Sequence, residues 1–175
     1  MMNKLYISGL AMLLLVMAGC ASVTKDIVIE TEASPLAKFD SYKTYAWLGE
    51  MSLLRDPEEK WQPPKMNISG DIKYLVDREL RKKDVYNELT APDLGVVFFV
   101  GVDMEAMKLK VDKETNADII KNVPKAALVV ALIDTKTEYV VWMGKATADV
   151  QNSKDVDVVR QRLDYAVREM FKSFK

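Results

Sequence analysis

Residues Ala126–Val150 read AALVVALIDTKTEYVVWMGKATADV, two apolar runs on either side of the polar turn DTKTE. Runs of this length around a short polar turn form a β-hairpin. In the second run, alternation puts Val140, Trp142, Gly144, Ala146, Ala148 and Val150 on one face, opposite Lys145, Thr147 and Asp149. The small residues at 144, 146 and 148 either let a helix approach closely or floor a cleft. Close packing is the expectation, and on that reading Ala146→Leu overpacks the core.

The partner for that face lies just downstream. Between Asp155 and Phe174, Val156, Val159, Leu163, Ala166, Val167, Met170 and Phe174 form a continuous apolar stripe at helical spacing. Leu163, Val167 and Met170 are expected to seat on the hairpin. Upstream, LGVVFFVGVDM at 94–104 alternates with apolar residues on both faces, as a central strand does. Met107, Leu109 and Val111 continue out of phase, so a turn or bulge at Glu105 and Ala106 separates two strands. The polar stretch 113–125 is expected to hold only a single helical turn at ADIIKNV.

The segment SGDIKYLVDRELRKK reads as a helix, with Ser69 as its cap and Ile72, Leu75, Val76 and Leu80 on its buried face. Asp77 with Arg81 and Glu79 with Lys83 are expected as i, i+4 pairs on its wet side. The cluster Arg81, Lys82 and Lys83 is read as a solvated helix end, where cations offset the helix dipole. Gly49–Lys65, with three prolines and dense charge, is expected as a loop that Leu53, Leu54 and Trp61 pin to the domain. DIVIETEA and YKTYAWL supply two earlier strands. The expected fold is α+β: an antiparallel sheet of about six strands with two amphipathic helices packed on one face.

Composition narrows the function. Hydrophobic residues are 49% of the 175 and charged residues 29%, the profile of a globular domain. A formal net charge of −1 carries no cationic excess for nucleic acid. The chain has no histidine, which removes the usual general base near neutral pH and the commonest nitrogen ligand for metals. Catalysis would have to rest on carboxylates. Asp56, Glu58 and Glu59 in the proline-rich loop, and Asp103 and Glu105 at a strand end, show no pair that must converge. No catalytic residue, cofactor or metal site is assigned.

The single cysteine, Cys20, stands where an apolar run ends. Met1–Lys4 is a short basic start, Leu5–Met17 is apolar, and Ala18 and Gly19 are small, the three parts of a secretory signal peptide. The apolar run is shorter than the roughly 20 residues that span a bilayer. VMAGC resembles the lipobox of bacterial lipoproteins, with Met17 where Leu is commonest. The resemblance implies acylation of Cys20. The expected organisation is a cleaved signal at 1–19, a lipidated cysteine and tether at 20–26, and one domain over 27–175. Ala21 rather than Asp after the cysteine points by analogy to the outer membrane, facing the periplasm.

FDSYKTYAWL, PDLGVVFFVGV and LVVALIDTKTEYVVWMGKATADV, followed by an amphipathic terminal helix, together resemble the lipoprotein family of domain of unknown function 4136. The resemblance covers nearly all of the chain after the signal and implies an envelope lipoprotein without an established activity. Family members commonly end the first helix with Lys-Gly. Here Lys83 is followed by Asp84, which can adopt the left-handed cap conformation, though less easily than Gly. The expected function is a non-catalytic, membrane-anchored envelope lipoprotein. It acts as an interaction or structural module whose partners are the bilayer, through acylated Cys20, and an envelope protein. The alternative is a carrier of a small hydrophobic ligand or glycan, with a pocket between sheet and helices. Tyr45, Trp47, Trp142 and Gly144 are the candidate cleft residues.

Overall fold

In the computed structural model, residues 23–49, 52–54, 65–103, 107–111, 118–122, 125–150 and 155–174 are described; the signal segment, Cys20, Trp61 and the acids at 56, 58, 59 and 105 lie outside them. The chain runs β1 (Val28–Ala33), a 3-10 turn (Phe39–Ser41), β2 (Thr44–Trp47), β3 (Ser52–Leu54), α1 (Ile68–Arg81), β4 (Tyr86–Asn87), β5 (Leu94–Asp103), β6 (Met107–Val111), β7 (Asp118–Asn122), β8 (Lys125–Asp134), β9 (Val140–Asp149) and α2 (Val156–Phe171). Among the described residues seven strands make one sheet in the order β1-β9-β8-β5-β2-β4, with β3 also on β5, and β6 and β7 pair separately.

Among the described residues the α+β class with two helices stands, but the sheet is mixed rather than antiparallel. β1, β9, β8 and β5 pair antiparallel. β2 and β3 lie parallel to β5 along one edge, taking Leu94–Val96 and Phe99–Gly101 respectively, and β2 is parallel to β4. The cause is connectivity. The chain between β2 and β5 includes α1, and a helical crossover returns the next strand in the same direction.

Two local expectations are also corrected. The expected loop at 49–65 contains β3. The expected helical turn at ADIIKNV is strand β7, antiparallel to β6. The expected turn or bulge at Glu105 and Ala106 lies outside the described residues; on either side of it the registers Asp103↔Lys125 and Met107↔Asn122 differ by one residue, and β6 takes β7 as its partner. Its nearly polar sequence hid this, because only Ile119 and Ile120 mark the strand.

Both helices cover one face of the sheet. Leu94, Val96, Phe98 and Val100 of β5, Leu128, Val130 and Leu132 of β8, and Trp142 and Ala146 of β9 are buried there with Ile72, Leu75, Val76 and Leu80 of α1 and Ala166, Val167 and Met170 of α2. A bulge between Leu132 and Ile133 shifts the phase at the start of β9, so Val141 is buried and Val140, expected with Trp142, is exposed. Among the described residues no helix is long and apolar enough to cross a membrane, which says nothing of β-barrels.

The helix ends are set by short polar side chains. Asn67, not Ser69, caps α1, its side chain accepting from the Gly70 amide at 3.0 Å. Asp155 caps α2, accepting from the amides of Asp157 and Val158. After α1, Asp84 takes φ 58°, the left-handed conformation its position requires, and the Val85 amide donates back to the Leu80 carbonyl.

Candidate functional surface

The chain enters the domain over α2. Arg162 grips the Asp26 carboxylate with both terminal nitrogens, at 2.8 and 2.6 Å, and also donates to the Val23 carbonyl. Asp26 accepts in addition from the Asp149 amide at the end of β9. The arginine contact, chiefly its hydrogen bonds, holds the Asp26 carboxyl below the ordinary carboxylate value. The end of the expected tether is therefore bound to helix and sheet. Arg162 lies three residues from Val159 and four from Ala166, on the apolar stripe itself. A cation in that place was the signal that it would be needed inside.

Beside this point a groove of about 530 Å³ runs between the outer sides of the helices, with Val23 and Thr24 in its wall. Helical spacing brings Tyr74 and Arg78 of α1 opposite Arg160, Asp164 and Arg168 of α2. Arg78 donates to Asp164 at 2.6 Å, Arg168 donates to the other oxygen of Asp164 at 3.2 Å, and Arg160 donates to Asp71 at 3.3 Å. Arg168 also lies over the Tyr165 ring. Three guanidiniums thus face two carboxylates in the groove.

The candidate cleft residues fall into two separate groups. Tyr45 and Trp47 of β2 both donate to Asp77 of α1, at 2.6 and 3.0 Å, with Trp47 edge-on to Phe98. Burial raises the Tyr45 hydroxyl pKa, and the hydrogen bond to Asp77 adds to it. Asp77 was expected on the wet side of α1, as was Glu79, which is buried between Arg78 and Lys82. A helix lying flat on a sheet leaves less of its circumference wet than i, i+4 pairing assumes. Trp142 is 1% exposed and packs against a tilted Phe171 ring and edge-on to Phe174, and the Cβ that Gly144 lacks would sit 2.7 Å from the Trp142 ring and 2.9 Å from Met170 Sδ.

None of these four residues lines the apolar cavity between sheet and helices. That cavity, about 120 Å³, opens at Ala146 and Ala148 under Leu163 and Ala166. It is small beside ligand pockets, which run from about 300 Å³ upward. Trp142 instead lines a surface groove of about 390 Å³ with Glu32–Ser34 and Val140–Met143.

At one end of the sheet a polar tie joins the three segments singled out in the sequence. The Tyr42 hydroxyl donates to Asp134 at 2.9 Å. Asp93 accepts from the amides of Lys43 and Thr44 and from the Thr44 hydroxyl. Asp134 accepts from the amides of Lys136 and Thr137 within the hairpin turn, and the Thr135 amide donates to the Asp93 carbonyl. Amide donors keep both carboxyls below the ordinary range, led by Lys43 for Asp93 and by Thr137 for Asp134. Burial, with the Asp134 contact, pushes the Tyr42 hydroxyl up to about 12. The arrangement fixes strand ends: two ionised acceptors and one neutral donor offer no proton to exchange near neutral pH. Among the described residues no three His, Cys, Asp or Glu side chains group as a metal ion requires.

No curated protein matches this chain. Among solved structures, a DUF4136 family protein from Bacteroides thetaiotaomicron is similar with a TM-score of 0.58 and 13% identity, over 85% of this chain and 95% of that one. A PDZ domain protein from Parabacteroides distasonis is similar with a TM-score of 0.51 and 14% identity, over 91% of this chain but 39% of the other, so this chain spans well under half its length. At these identities the likenesses concern the fold alone. The profile of the domain of unknown function DUF4136 matches residues 29–174. That span runs from β1 through the terminal helix and includes all three segments of the polar tie, and the chain belongs to the DUF4136 family.

Proposed function

We propose that this protein is a lipid-anchored envelope lipoprotein of the outer membrane, facing the periplasm, whose domain is a non-catalytic interaction or structural module. The observation that carries the reading is the entry of the chain: VMAGC ends three residues before Val23, and Val23–Asp26 is already fastened to α2 by Arg162. A cysteine so placed between an apolar leader and a docked domain suits acylation and has no role in a core. Each buried methylene adds about 0.8 kcal/mol of membrane affinity, so two or three acyl chains hold the domain at the bilayer. The absence of histidine and the lowered carboxyls support a non-catalytic role. The 120 Å³ cavity favours an interaction module over a carrier.

The test is labelling with radioactive palmitate in cells. The native chain is expected to take up label and fractionate with outer membranes on a density gradient, and Cys20→Ser to remain an unlabelled precursor. Equal labelling of the two refutes the proposal. The unidentified envelope partner is sought by crosslinking in intact cells.

A further inference from the structure

We infer that the outer face of the two helices, centred on the groove between Arg78 and Arg168, rests on the phospholipid head groups of the bilayer. The inference builds on acylation of Cys20. A chain reaches at most about 3.6 Å per residue, so Cys20 lies within about 11 Å of Val23. Val23 and Thr24 are themselves in the groove wall. Because Arg162 holds Val23 and Asp26, the domain cannot swing on these residues while those bonds persist. The acylated residue sits at the membrane interface, so the surface around Val23 must face it.

That surface has the chemistry for the role. Arg160 and Arg168 are about half exposed, at 54% and 45% of their side-chain area; Arg160 engages Asp71 through Nε alone, and Arg168 engages Asp164 through one terminal nitrogen and Glu169, at 3.5 Å, through Nε, so each keeps part of its donor fork unused. The remaining N–H groups are available to phosphate oxygens, which guanidinium binds in a fork geometry. Tyr74 is 66% exposed on the same side, and a tyrosine at head-group depth satisfies both its ring and its hydroxyl. The opposite face of the sheet, where Phe99, Val129, Lys145 and Glu30 align across four strands, is then turned toward the periplasm.

The experiment uses the full acylated chain in vesicles of phosphatidylethanolamine and phosphatidylglycerol. Acylation blocks Cys20, so a single introduced cysteine carries a fluorophore, in the groove at Gln161→Cys or on β1 at Glu32→Cys, both exposed positions. A quencher on the lipid head group is expected to quench the label at 161 severalfold more than the label at 32. Adding Arg160→Gln and Arg168→Gln should reduce the quenching at 161. Equal quenching at 161 and 32 in an acylated protein overturns this orientation and leaves the lipoprotein reading intact. Unchanged quenching in the arginine variant overturns phosphate binding by the groove. A chain found unacylated by intact mass refutes the lipoprotein reading, and this inference with it.

Discussion

At Gly144 α2 lies so close to the sheet that Met170 leaves no room for a Cβ, and two residues along the same strand the contact opens into a cavity. The stripe of small residues therefore behaves in two ways. Gly144→Ala places a methyl against the Trp142 ring and Met170 and should cost about 1–3 kcal/mol. Ala146→Val extends into free volume, and its melting temperature should stay at or above that of the native domain. The sequence alone suggested overpacking at 146, because alternation reports which face a residue occupies and not how much free volume lies over it. Thermal melts of the two variants beside the native chain check both outcomes. Asp134 allows a separate test at this scale. Its carboxyl, like those of Asp26 and Asp93, is held below the ordinary value of 3.8. The stabilisation is complete above the unfolded value and is lost as pH falls below it through the folded value, since the unfolded chain takes up protons first. Asp134→Asn should melt below the native protein at pH 6, and the gap should narrow as pH drops under about 3.8.

Elements with strong periodicity were legible in the sequence, and those set by neighbours were not. Both helices, β5 and the β8–β9 hairpin follow from their apolar spacing, and Asp84 adopts the left-handed cap conformation open to it after α1. The mixed sheet did not follow, because strand direction depends on a crossover and not on side-chain pattern. β3 and β7 were missed because prolines, charges and a polar run masked short strands stabilised by pairing to β5 and β6. The Arg162–Asp26 clasp joins residues 136 apart in sequence, beyond the reach of any local pattern. The end of α1 carries a prediction of its own. A left-handed residue other than glycine costs about 1–2 kcal/mol, less for Asp, so Asp84→Gly should stabilise the domain by up to about 1 kcal/mol. At this chain length that is a rise of roughly 2–4 °C in Tm, and a fall in Tm would show that the Tyr86 contact with Asp84 matters more.

At the scale of the whole molecule, the layers and the point of entry belong to one design. The helices cover one face of the sheet, the chain enters over the second helix, and the polar tie closes the far ends of β2, β5 and β8. The tie gives Tyr42, Asp93 and Asp134, one from each of the three stretches that resemble the family, a structural role in this chain: they hold strand ends in register. What the sequence said about anchoring rests on Met1–Asp26, of which Arg162 holds Val23 and Asp26 at the end. The central claim is that the domain is fastened by that segment to a membrane through Cys20. Intact-mass spectrometry of the protein extracted from membranes tests it most directly. The expected species is a chain beginning at Cys20 and heavier than residues 20–175 by a diacylglyceryl group, with or without a further acyl chain. A mature chain with an unmodified Cys20, or one beginning elsewhere, would contradict it.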